Sequence, residues 1–408
     1  MKQYRWILAA AGFLGLLLAG MIGYLVWNVS QSSSISDGSA GTFRTAGKGV
    51  QEESGSGLGA YPLEERGKAG AESSSGILLS EGVDASFGEG LGDEVSEASP
   101  LRLVFGGDVF LSDHVLNAYN EGGGIDGVVD QKLQGVIDSS DIFMVNQEFP
   151  FSERGEAAGD KQFTFRLPPE KVSLFQELGI DLVTLANNHT LDFGRDALLD
   201  TCQTLDEAGI GRVGAGANLD EAKKPVILEV KGKKIGFLGA SRVIPVGSWN
   251  ATSSGAGLLT TYDPKILLEE ISRVKEMCDF VIVYVHWGVE RDEVPQEYQR
   301  TLGQQYIDGG ADMVIGSHPH VLQGLEYYKG KPIVYSLGNF IFGSSIPRTA
   351  LLTVEWDGEK VRLKLVPGVS SAGKTRAVTD EKEKEAFYDY MTSISYGVVV
   401  DENGCREQ

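Results

Sequence analysis

The pattern that most constrains the fold is an alternation of short apolar runs with amphipathic helical periods, which begins at Leu101. Seven runs have the length and composition of buried strands: LRLVFGG, DIFMVN, IDLVTLAN, KKIGFLGAS, CDFVIVYVHWG, ADMVIGSH and KPIVYSLGNF. Helical periods lie between several of them: PPEKVSLFQELG, GRDALLDTCQTLDEAG, DPKILLEEISRVKEM and PQEYQRTLGQQYIDGG. Strands that alternate with helices predict a layered α/β fold. Because the runs are almost continuously apolar, we expect both faces of the sheet to be covered.

The C-terminal part of the chain has a different pattern. The segment ALLTVEWDGEKVRLKLVPG alternates with period two around an Asp-Gly turn, which predicts an antiparallel hairpin added to the sheet. After it we expect one helix, from about Glu381 to Met391, and then a tail. Residues 347–408 are therefore interpreted as a hairpin and tail that complete the preceding domain.

The N-terminus contains a candidate membrane anchor. Lys2 and Arg5 precede an apolar run from Trp6 to Trp27, which has about the 20 residues needed to cross the hydrocarbon core. Since a secretory signal has a shorter apolar region, we favour a retained anchor at residues 6–28 over a cleaved signal. Basic residues before the span and acidic residues after it predict a single-pass protein of the cell membrane, with residues 1–5 cytoplasmic and the rest extracellular.

Residues 29–99 have the composition of a flexible linker. Between Ser30 and Ser99, 29 of 70 residues are Gly or Ser, with 12 acidic and 4 basic side chains. Such a segment buries too little apolar surface to offset the entropy of ordering it. We therefore expect a disordered tether between the anchor and the folded domain.

Charge and cysteine content exclude several classes of function. The net charge is −21 and the isoelectric point is near 4.7, so nucleic acid is not an expected partner, whereas divalent cations are compatible with this charge. Cys202, Cys278 and Cys405 are far apart and form no CxxC pair. This spacing argues against a structural zinc site and a disulfide framework, and predicts buried free thiols.

Polar residues of metal-binding or catalytic types follow the predicted strands almost every time. Because ligands bind beyond the carboxyl ends of strands in open α/β sheets, we expect these side chains to converge. The residues at these positions are Asp108, Asn146, Glu148, Asn187, Asn188, His189, His286, His318, His320 and Asn339. They include four of the five histidines, and the fifth, His114, lies in a predicted helix as a surface or packing residue.

Each of these residues also has a structural interpretation when it is taken alone. Asp108 could cap the helix that follows it, and the Asn-Asn-His sequence at residues 187–189 could form a turn, since Asn tolerates left-handed backbone. The joint placement favours a functional site. Imidazole, carboxylate and amide oxygen together suit zinc, manganese or iron, and a pair of such ions activates water and binds the oxygens of a phosphate ester.

Six blocks resemble, in order and spacing, the signature motifs of the bacterial capsule synthesis protein CapA family: GGDVFLS, NQEFPFS, LANNHTLDFG, VHWGVE, GSHPHVLQGLE and YSLGNFIF. That family belongs with the calcineurin-like metallophosphatases and is associated with the synthesis and anchoring of poly-γ-glutamate capsule. The resemblance implies a layered α-β-β-α metallophosphatase-like sandwich over residues 100–346. It also implies one or two divalent transition metal ions, Mn, Zn or Fe.

The resemblance further implies a role for each site residue. Asp108 and His320 would hold one metal ion, and Glu148 would bridge to a second ion held by the remaining metal ligands, Asn188, His286 and His318. His189 would be the general acid, oriented by Asp192. Residues assigned to substrate binding are Asn146, Asn187, Glu290, Gln323 and Asn339.

Two positions depart from the metallophosphatase pattern. Phe110 stands where those enzymes carry a histidine, so the site of Asp108 and His320 lacks one imidazole. Glu148 stands where they usually carry an aspartate.

Three hypotheses of function follow. The first is a membrane-anchored extracellular protein that acts in the synthesis, export or anchoring of an anionic capsule polymer such as poly-γ-glutamate, through a metal-dependent hydrolase-type site. The second, motivated by Phe110, is a non-catalytic assembly subunit that works with membrane synthase subunits. The third is a general extracellular metallophosphodiesterase.

Overall fold

The computed structural model describes residues 99–159 and 161–408. The expected cytoplasmic residues 1–5, the anchor at 6–28 and all but the last residue of the tether at 29–99 lie outside the described residues. Within the described residues, no helix is long and apolar enough to cross a membrane.

Strands and helices alternate along the first two thirds of the described chain. The strands are β1 Leu101–Val109, β2 Ile142–Gln147, β3 Leu182–Thr184, β4 Gly211–Val213, β5 Ala215–Gly216, β6 Val226–Val230, β7 Lys233–Ser241, β8 Gly257–Leu258, β9 Phe280–His286, β10 Met313–Ser317, β11 Leu322–Tyr328, β12 Lys331–Leu337, β13 Asn339–Ile341, β14 Ser345–Trp356, β15 Val361–Ser371, β16 Lys374–Ala377, β17 Val398–Asp401 and β18 Gly404–Glu407. The α-helices are α1 Asp113–Gly122, α2 Gln131–Asp138, α3 Val172–Leu178, α4 Gly194–Glu207, α5 Leu219–Ala222, α6 Lys265–Lys275, α7 Glu297–Asp308 and α8 Glu381–Ile394. Short 3₁₀ helices lie at Ile125–Gly127, Pro169–Lys171 and Gly247–Trp249.

The strands form two large sheets and one small one. The first sheet has the order β17-β18-β15-β14-β1-β2-β3-β4, with β13 beside β1 and β16 beside β15. The second has the order β11-β12-β10-β9-β7-β6, and β5 pairs with β8. Strands β1 to β4 are parallel to one another, as are β7, β9, β10 and β12, so each large sheet has a parallel centre.

Apolar side chains divide the protein into four layers. One buried cluster joins the facing surfaces of the two sheets and includes Phe105 and Tyr284. A second joins the outer surface of the first sheet to helices α1 to α4, and a third joins the second sheet to α6 and α7. The order helix, sheet, sheet, helix buries both faces of both sheets, which removes a large apolar area from water. The predicted α/β class and layered arrangement are confirmed.

Helix boundaries follow ordinary capping chemistry. Asp130 accepts a hydrogen bond from the backbone N–H of Leu133 at the start of α2, and Asp380 accepts two at the start of α8. Gln296 and Gln299 form a reciprocal capping box at the start of α7. These side chains satisfy N–H groups that have no partner within the helix.

The predicted hairpin and C-terminal helix are both present, but the predicted tail is wrong. Strands β14 and β15 pair antiparallel from Trp356 and Val361 outward, and α8 covers the predicted helix. Beyond α8 the chain forms a further hairpin, β17 and β18, which places Val398, Val400 and Cys405 in the core between the sheets. Strands of four residues are too short to give a clear alternating pattern. All three cysteines are free and buried, as predicted.

A close backbone approach holds the end of β1 in place. The Asp108 N–H donates to the Gly338 carbonyl oxygen at 2.8 Å, and Asp108 pairs with Asn339 of β13. A Cβ atom added to Gly107 would lie only 1.9 Å from that same oxygen. Glycine at 107 is therefore required for the contact that positions Asp108.

We expect Gly107→Ala to lower the free energy of unfolding by about 1–3 kcal/mol, because the added methyl group overpacks against backbone. Gly135→Ala is the control, since nothing lies within 4 Å of its added Cβ and Ala in a helix is favoured over Gly by about 0.5–1 kcal/mol. Urea denaturation of the purified protein measures both. Equal effects of the two substitutions would contradict the assigned contact.

Candidate metal centre

The predicted convergence of strand ends is observed. Asp108 lies near the end of β1, Glu148 directly follows β2, and His286 ends β9. His318 directly follows β10, and Asn188 lies beyond β3. The first sheet thus supplies the carboxylates and the second supplies the imidazoles, because the carboxyl ends of both parallel centres meet at one edge.

One group of candidate ligands consists of Glu148, His286 and His318. A ligand atom from each lies within 4.8 Å of those of the other two, and all three side chains are buried. His286 Nε2 lies 3.2 Å from Glu148 Oε1 and 2.8 Å from Asn188 Oδ1. Asn188 therefore adjoins this group.

A second group consists of Asp108, Glu148 and His320, again with ligand atoms within 4.8 Å of one another. His320 Nδ1 lies 3.3 Å from Asp108 Oδ2 and 3.9 Å from Glu148 Oε2. Glu148 belongs to both groups, in the position of a bridging carboxylate. Apart from Asn188, which adjoins the first group, the two groups contain the same residues as the two ligand sets that the resemblance implies.

The chemistry of these groups fits cations. Neither oxygen of Glu148 nor Nδ1 of His318 has a hydrogen-bond partner among the described residues, although each atom is buried. A buried polar atom without a partner is costly, and more so when the group is charged. A divalent ion would supply the partner that all three atoms lack.

The protonation of the site also depends on its burial. Burial, with a further contribution from Asp108, raises the pKa of Glu148 well above its usual value. Burial lowers the pKa of His318 to about 3 and that of His286 well below its usual value, so both imidazoles are neutral at pH 7, as metal ligands must be. Burial alone would lower the pKa of His320, but the carboxylates of Glu148 and Asp108 raise it to about 10.

The histidine loop has an unusual backbone. His318 has φ 100° and His320 has φ 58°, in the left-handed region that residues other than glycine rarely adopt. The His318 N–H faces Asp108 Oδ2 at 3.3 Å. Such conformations cost free energy and occur mainly where a site requires them.

Asn146 and Asn187 form hydrogen bonds behind the candidate ligand Asp108. Asn146 Nδ2 donates to Asp108 Oδ1 at 2.8 Å, and Asn187 Nδ2 donates to Asn146 Oδ1 at 3.0 Å. Both asparagines are fully buried. Neither asparagine borders the cleft, and their amides form a chain of hydrogen bonds that ends at Asp108.

The remaining predicted substrate residues differ in position. Asn339 Oδ1 lies 2.8 Å from His320 Nδ1 and borders the cleft, as does Glu290. Gln323 does not border it. Its amide is fully buried, accepts from Gln299 Nε2 at 2.9 Å and donates to the Asp292 carbonyl oxygen at 2.7 Å. The structure therefore does not place Gln323 at the cleft, because other residues of the protein occupy both ends of its amide.

His189 borders the cleft beside the two groups. Its Nδ1 lies 2.7 Å from Oδ2 of the fully buried Asp192, and its backbone N–H donates to Asn187 Oδ1 at 3.0 Å. Burial lowers the pKa of His189, so the ring is neutral at pH 7. These contacts fix one ring nitrogen and leave Nε2 as the nitrogen available to a ligand.

Lys161 is a site residue that sequence reasoning missed. Its Nζ lies 2.5 Å from the Asn188 carbonyl oxygen and 2.8 Å from His189 Nδ1, and it forms an ion pair with Asp192. Lys161 comes from the long connection between β2 and α3, which has no strand or helix periodicity. No pattern in the sequence marks this lysine.

Phe110, which stands in place of a metallophosphatase histidine, belongs to an aromatic cluster formed by Phe110, Phe165 and Phe342. Phe110 stacks on Phe165 with ring centroids 4.0 Å apart, and Phe165 stacks on His189 at 4.2 Å. Phe342 lies 4.9 Å from His320 between ring centroids. The aromatic cluster thus contacts both histidines that border the cleft.

The cleft above the metal groups has a volume of about 800 Å³. Its polar lining includes Lys161, His189, Glu290, Arg291 and His320, and the aromatic cluster forms an apolar wall. A cleft of this size holds a small molecule or a short stretch of polymer.

The fold and the site together define an α/β protein with a candidate two-metal centre at the carboxyl ends of its strands. The family model described as "Bacterial capsule synthesis protein PGA_cap" matches residues 102–344, and the chain belongs to this family. The resemblance found in the six sequence blocks is confirmed.

Several relatives carry names from capsule synthesis. The chain is 32% identical over 307 residues to the capsule biosynthesis protein CapA of Bacillus anthracis, covering 72% of this chain and 74% of the relative. It is 34% identical over 251 residues to the PGA biosynthesis protein CapA of Bacillus subtilis, covering 61% of this chain and 65% of the relative, just under two thirds. A probable polyglutamine synthesis accessory protein of Mycobacterium tuberculosis is 31% identical over 212 residues, which cover 50% of this chain and 56% of the relative.

One solved structure that the chain matches is the sulfate thiohydrolase SoxB of Thermus thermophilus. It is 14% identical, covers 72% of this chain and 60% of its own, and gives a TM-score of 0.40. A TM-score this low does not establish a shared fold.

We expect Phe110→His to strengthen metal binding by the group of Asp108, Glu148 and His320, because it adds an imidazole two residues after Asp108. Residues that only support metal ligands change metal affinity about 10–100-fold, so a direct ligand should tighten the weaker binding step by at least about tenfold. Titration of chelator-treated protein with Zn²⁺ or Mn²⁺ in a calorimeter measures each step. Phe110→Leu, which adds no donor atom, is the control, and equal affinities in both variants would contradict the assignment.

Proposed function

We propose that this protein acts in the synthesis, export or anchoring of an anionic capsule polymer of the poly-γ-glutamate type, through a metal-dependent hydrolase-type site of the metallophosphatase kind. Membership of the capsule synthesis family supports the polymer, and so do the names of the Bacillus relatives. The observation that carries the hydrolase-type site is Glu148, a buried carboxylate without a hydrogen-bond partner among the described residues, shared by two histidine-containing groups.

Each group of residues would have its own role in such a reaction. Divalent ions bound to the two groups would activate a water molecule and neutralise charge on the substrate oxygens. His189, held at Nδ1, presents Nε2 to the cleft as the proton donor to the leaving group. Lys161 and Arg291 border the cleft in a chain of net charge −21, and bound divalent ions would add further positive charge, which favours an anionic substrate.

One observation supports the non-catalytic alternative. The group of Asp108, Glu148 and His320 has no fourth side-chain donor at position 110, where Phe110 stacks on Phe165 instead. A site with weakened metal binding could serve to bind polymer or to stabilise membrane synthase subunits without turnover. The two functions differ in whether any bond is broken.

The activity is tested with the full chain in detergent, on aryl phosphates, aryl phosphodiesters and γ-glutamyl polymer. We expect metal-dependent turnover of at least one substrate, and we expect His189→Ala to lower kcat by about 10²–10⁴-fold, the usual contribution of a general acid. His114→Ala is the control, because His114 is exposed in α1 and does not border the cleft.

Other results of these assays would favour other functions. Protein purified without chelator that contains no transition metal, and binds none on titration, would exclude the metal-dependent mechanism. Bound metal without turnover would favour the assembly role. Hydrolysis of phosphodiesters but not of polymer would favour a general phosphodiesterase.

We further propose that residues 6–28 anchor the protein in the cell membrane with the folded domain outside. The length of the apolar run and the basic residues before it support this topology. Protease added to intact cells that lack an outer barrier should destroy a C-terminal epitope tag while a cytoplasmic marker survives. A tag that is protected until the cells are lysed would exclude the extracellular location.

A further inference from the structure

Lys161 occupies an unusual position for a lysine. Its side chain is only 13% exposed, whereas lysine is ordinarily among the most exposed residues. The ammonium group contacts the Asn188 carbonyl oxygen, Nδ1 of His189 and Oδ1 of Asp192. Every one of these partners belongs to the turn that carries the candidate proton donor, so the lysine is tied to a single functional element.

The carboxylate of Asp192 accepts hydrogen bonds from more than one donor. Oδ1 accepts from Lys161, and Oδ2 accepts from the backbone N–H of Phe165 at 2.7 Å. His189 Nδ1 lies 2.7 Å from that same Oδ2 and 2.8 Å from Lys161 Nζ. One nitrogen therefore faces both an acceptor and a donor.

A neutral imidazole has one N–H, and its position decides which of these two contacts is a hydrogen bond. With the proton on Nδ1, the ring would donate to Asp192, and the Lys161 ammonium would face a second N–H. With the proton on Nε2, Nδ1 accepts from Lys161. The second arrangement gives each of the three ammonium hydrogens an acceptor, whereas the first leaves one of them facing an N–H. Oδ2 of Asp192 keeps the Phe165 N–H as a donor in both arrangements.

The same segment also fixes the plane of the ring. Phe165 stacks on the imidazole with an interplanar angle of 21°, and Phe110 stacks on the other side of Phe165. Residues 161–165 therefore contact His189 at its edge through Lys161 and on its face through Phe165. Together these contacts restrict both the tilt and the rotation of the ring.

We propose that Lys161 is a positioning residue that holds His189 as the tautomer with its proton on Nε2, with Phe165 fixing the ring plane. This tautomer presents an N–H to the cleft. When Nε2 gives that proton to a leaving group, Nδ1 takes one from the Lys161 ammonium that is hydrogen-bonded to it, so the ring stays neutral and the lysine becomes the free amine. The inference deepens the proposed function, since it rests on His189 as the proton donor. Its physical content, the place of the ring proton, is measurable without any substrate.

The test is nitrogen NMR of the full chain with ¹⁵N-labelled histidine, after chelator treatment. The chain has only five histidines, and loss of one signal set in His189→Gln assigns the residue. In the wild type we expect His189 to show a protonated Nε2 and a bare Nδ1. In Lys161→Met, which keeps the apolar stem without the ammonium, we expect the Nε2–H pattern to be lost in favour of Nδ1–H donation to Asp192.

Controls separate positioning from general disruption. Lys161→Arg restores a cationic donor and should return the signals of His189 toward the wild-type pattern, whereas the signals of exposed His114 should be the same in all variants. A wild-type His189 with its proton on Nδ1 overturns the inference even if Lys161→Met does not fold. Unchanged His189 signals in a folded Lys161→Met also overturn it.

The test of Lys161 and the test of the proposed function can fail independently of each other. If the protein hydrolyses nothing but the tautomer of His189 responds to Lys161→Met and to Lys161→Arg, the hydrolase proposal fails and the positioning role of Lys161 stands. If turnover is found but the His189 signals do not respond, the hydrolase stands and the role of Lys161 is overturned.

Discussion

The buried carboxylate of Glu148 is the interaction on which the site depends. It is fully buried beside Asp108, another carboxylate, and neither of its oxygens has a hydrogen-bond partner among the described residues. Burying a carboxyl that lacks a hydrogen-bond partner costs free energy whether or not it is ionised, and the larger cost of the ionised form raises its pKa well above the usual value. The fold must supply this free energy, and the large apolar core between the two sheets is the available source. A bound cation would offset part of this free-energy cost, so metal binding should increase the stability of the fold.

The centre also connects the two halves of the protein. Asp108 and Glu148 come from the first sheet, and His286 comes from the second. Next to them, the buried hydroxyl of Tyr284 in the second sheet donates to the Gly106 carbonyl oxygen in the first at 2.8 Å. Any shift of one sheet against the other would therefore change the distances between the candidate ligands. The packing of the core between the sheets therefore also fixes the geometry of the candidate metal centre.

Sequence patterns predicted those parts of the site that depend on regular structure. His286 could be placed because it ends an apolar strand, and such ends converge. Gln323 was misplaced because it follows the histidine loop in sequence, yet it lies in β11 with its amide bonded to Gln299. Lys161 could not be found, since its contact depends on the path of an irregular connection. Periodicity carries information about faces of strands and helices, and it carries none about such a path.

Phe110 contributes to the packing around His189 and adds no ligand to a candidate metal group. An imidazole at this position would add a ligand next to Asp108. The phenyl ring instead stacks on Phe165, which in turn stacks on His189. The two metal groups are then unequal: one contains two histidines and adjoins Asn188, while the other contains only His320 and two carboxylates. Because imidazole and carboxylate differ in their metal preferences, unequal groups should bind their ions with unequal affinity. Phe110 thus leaves the group of Asp108, Glu148 and His320 with a single imidazole, and at the same time it packs against the ring that stacks on His189.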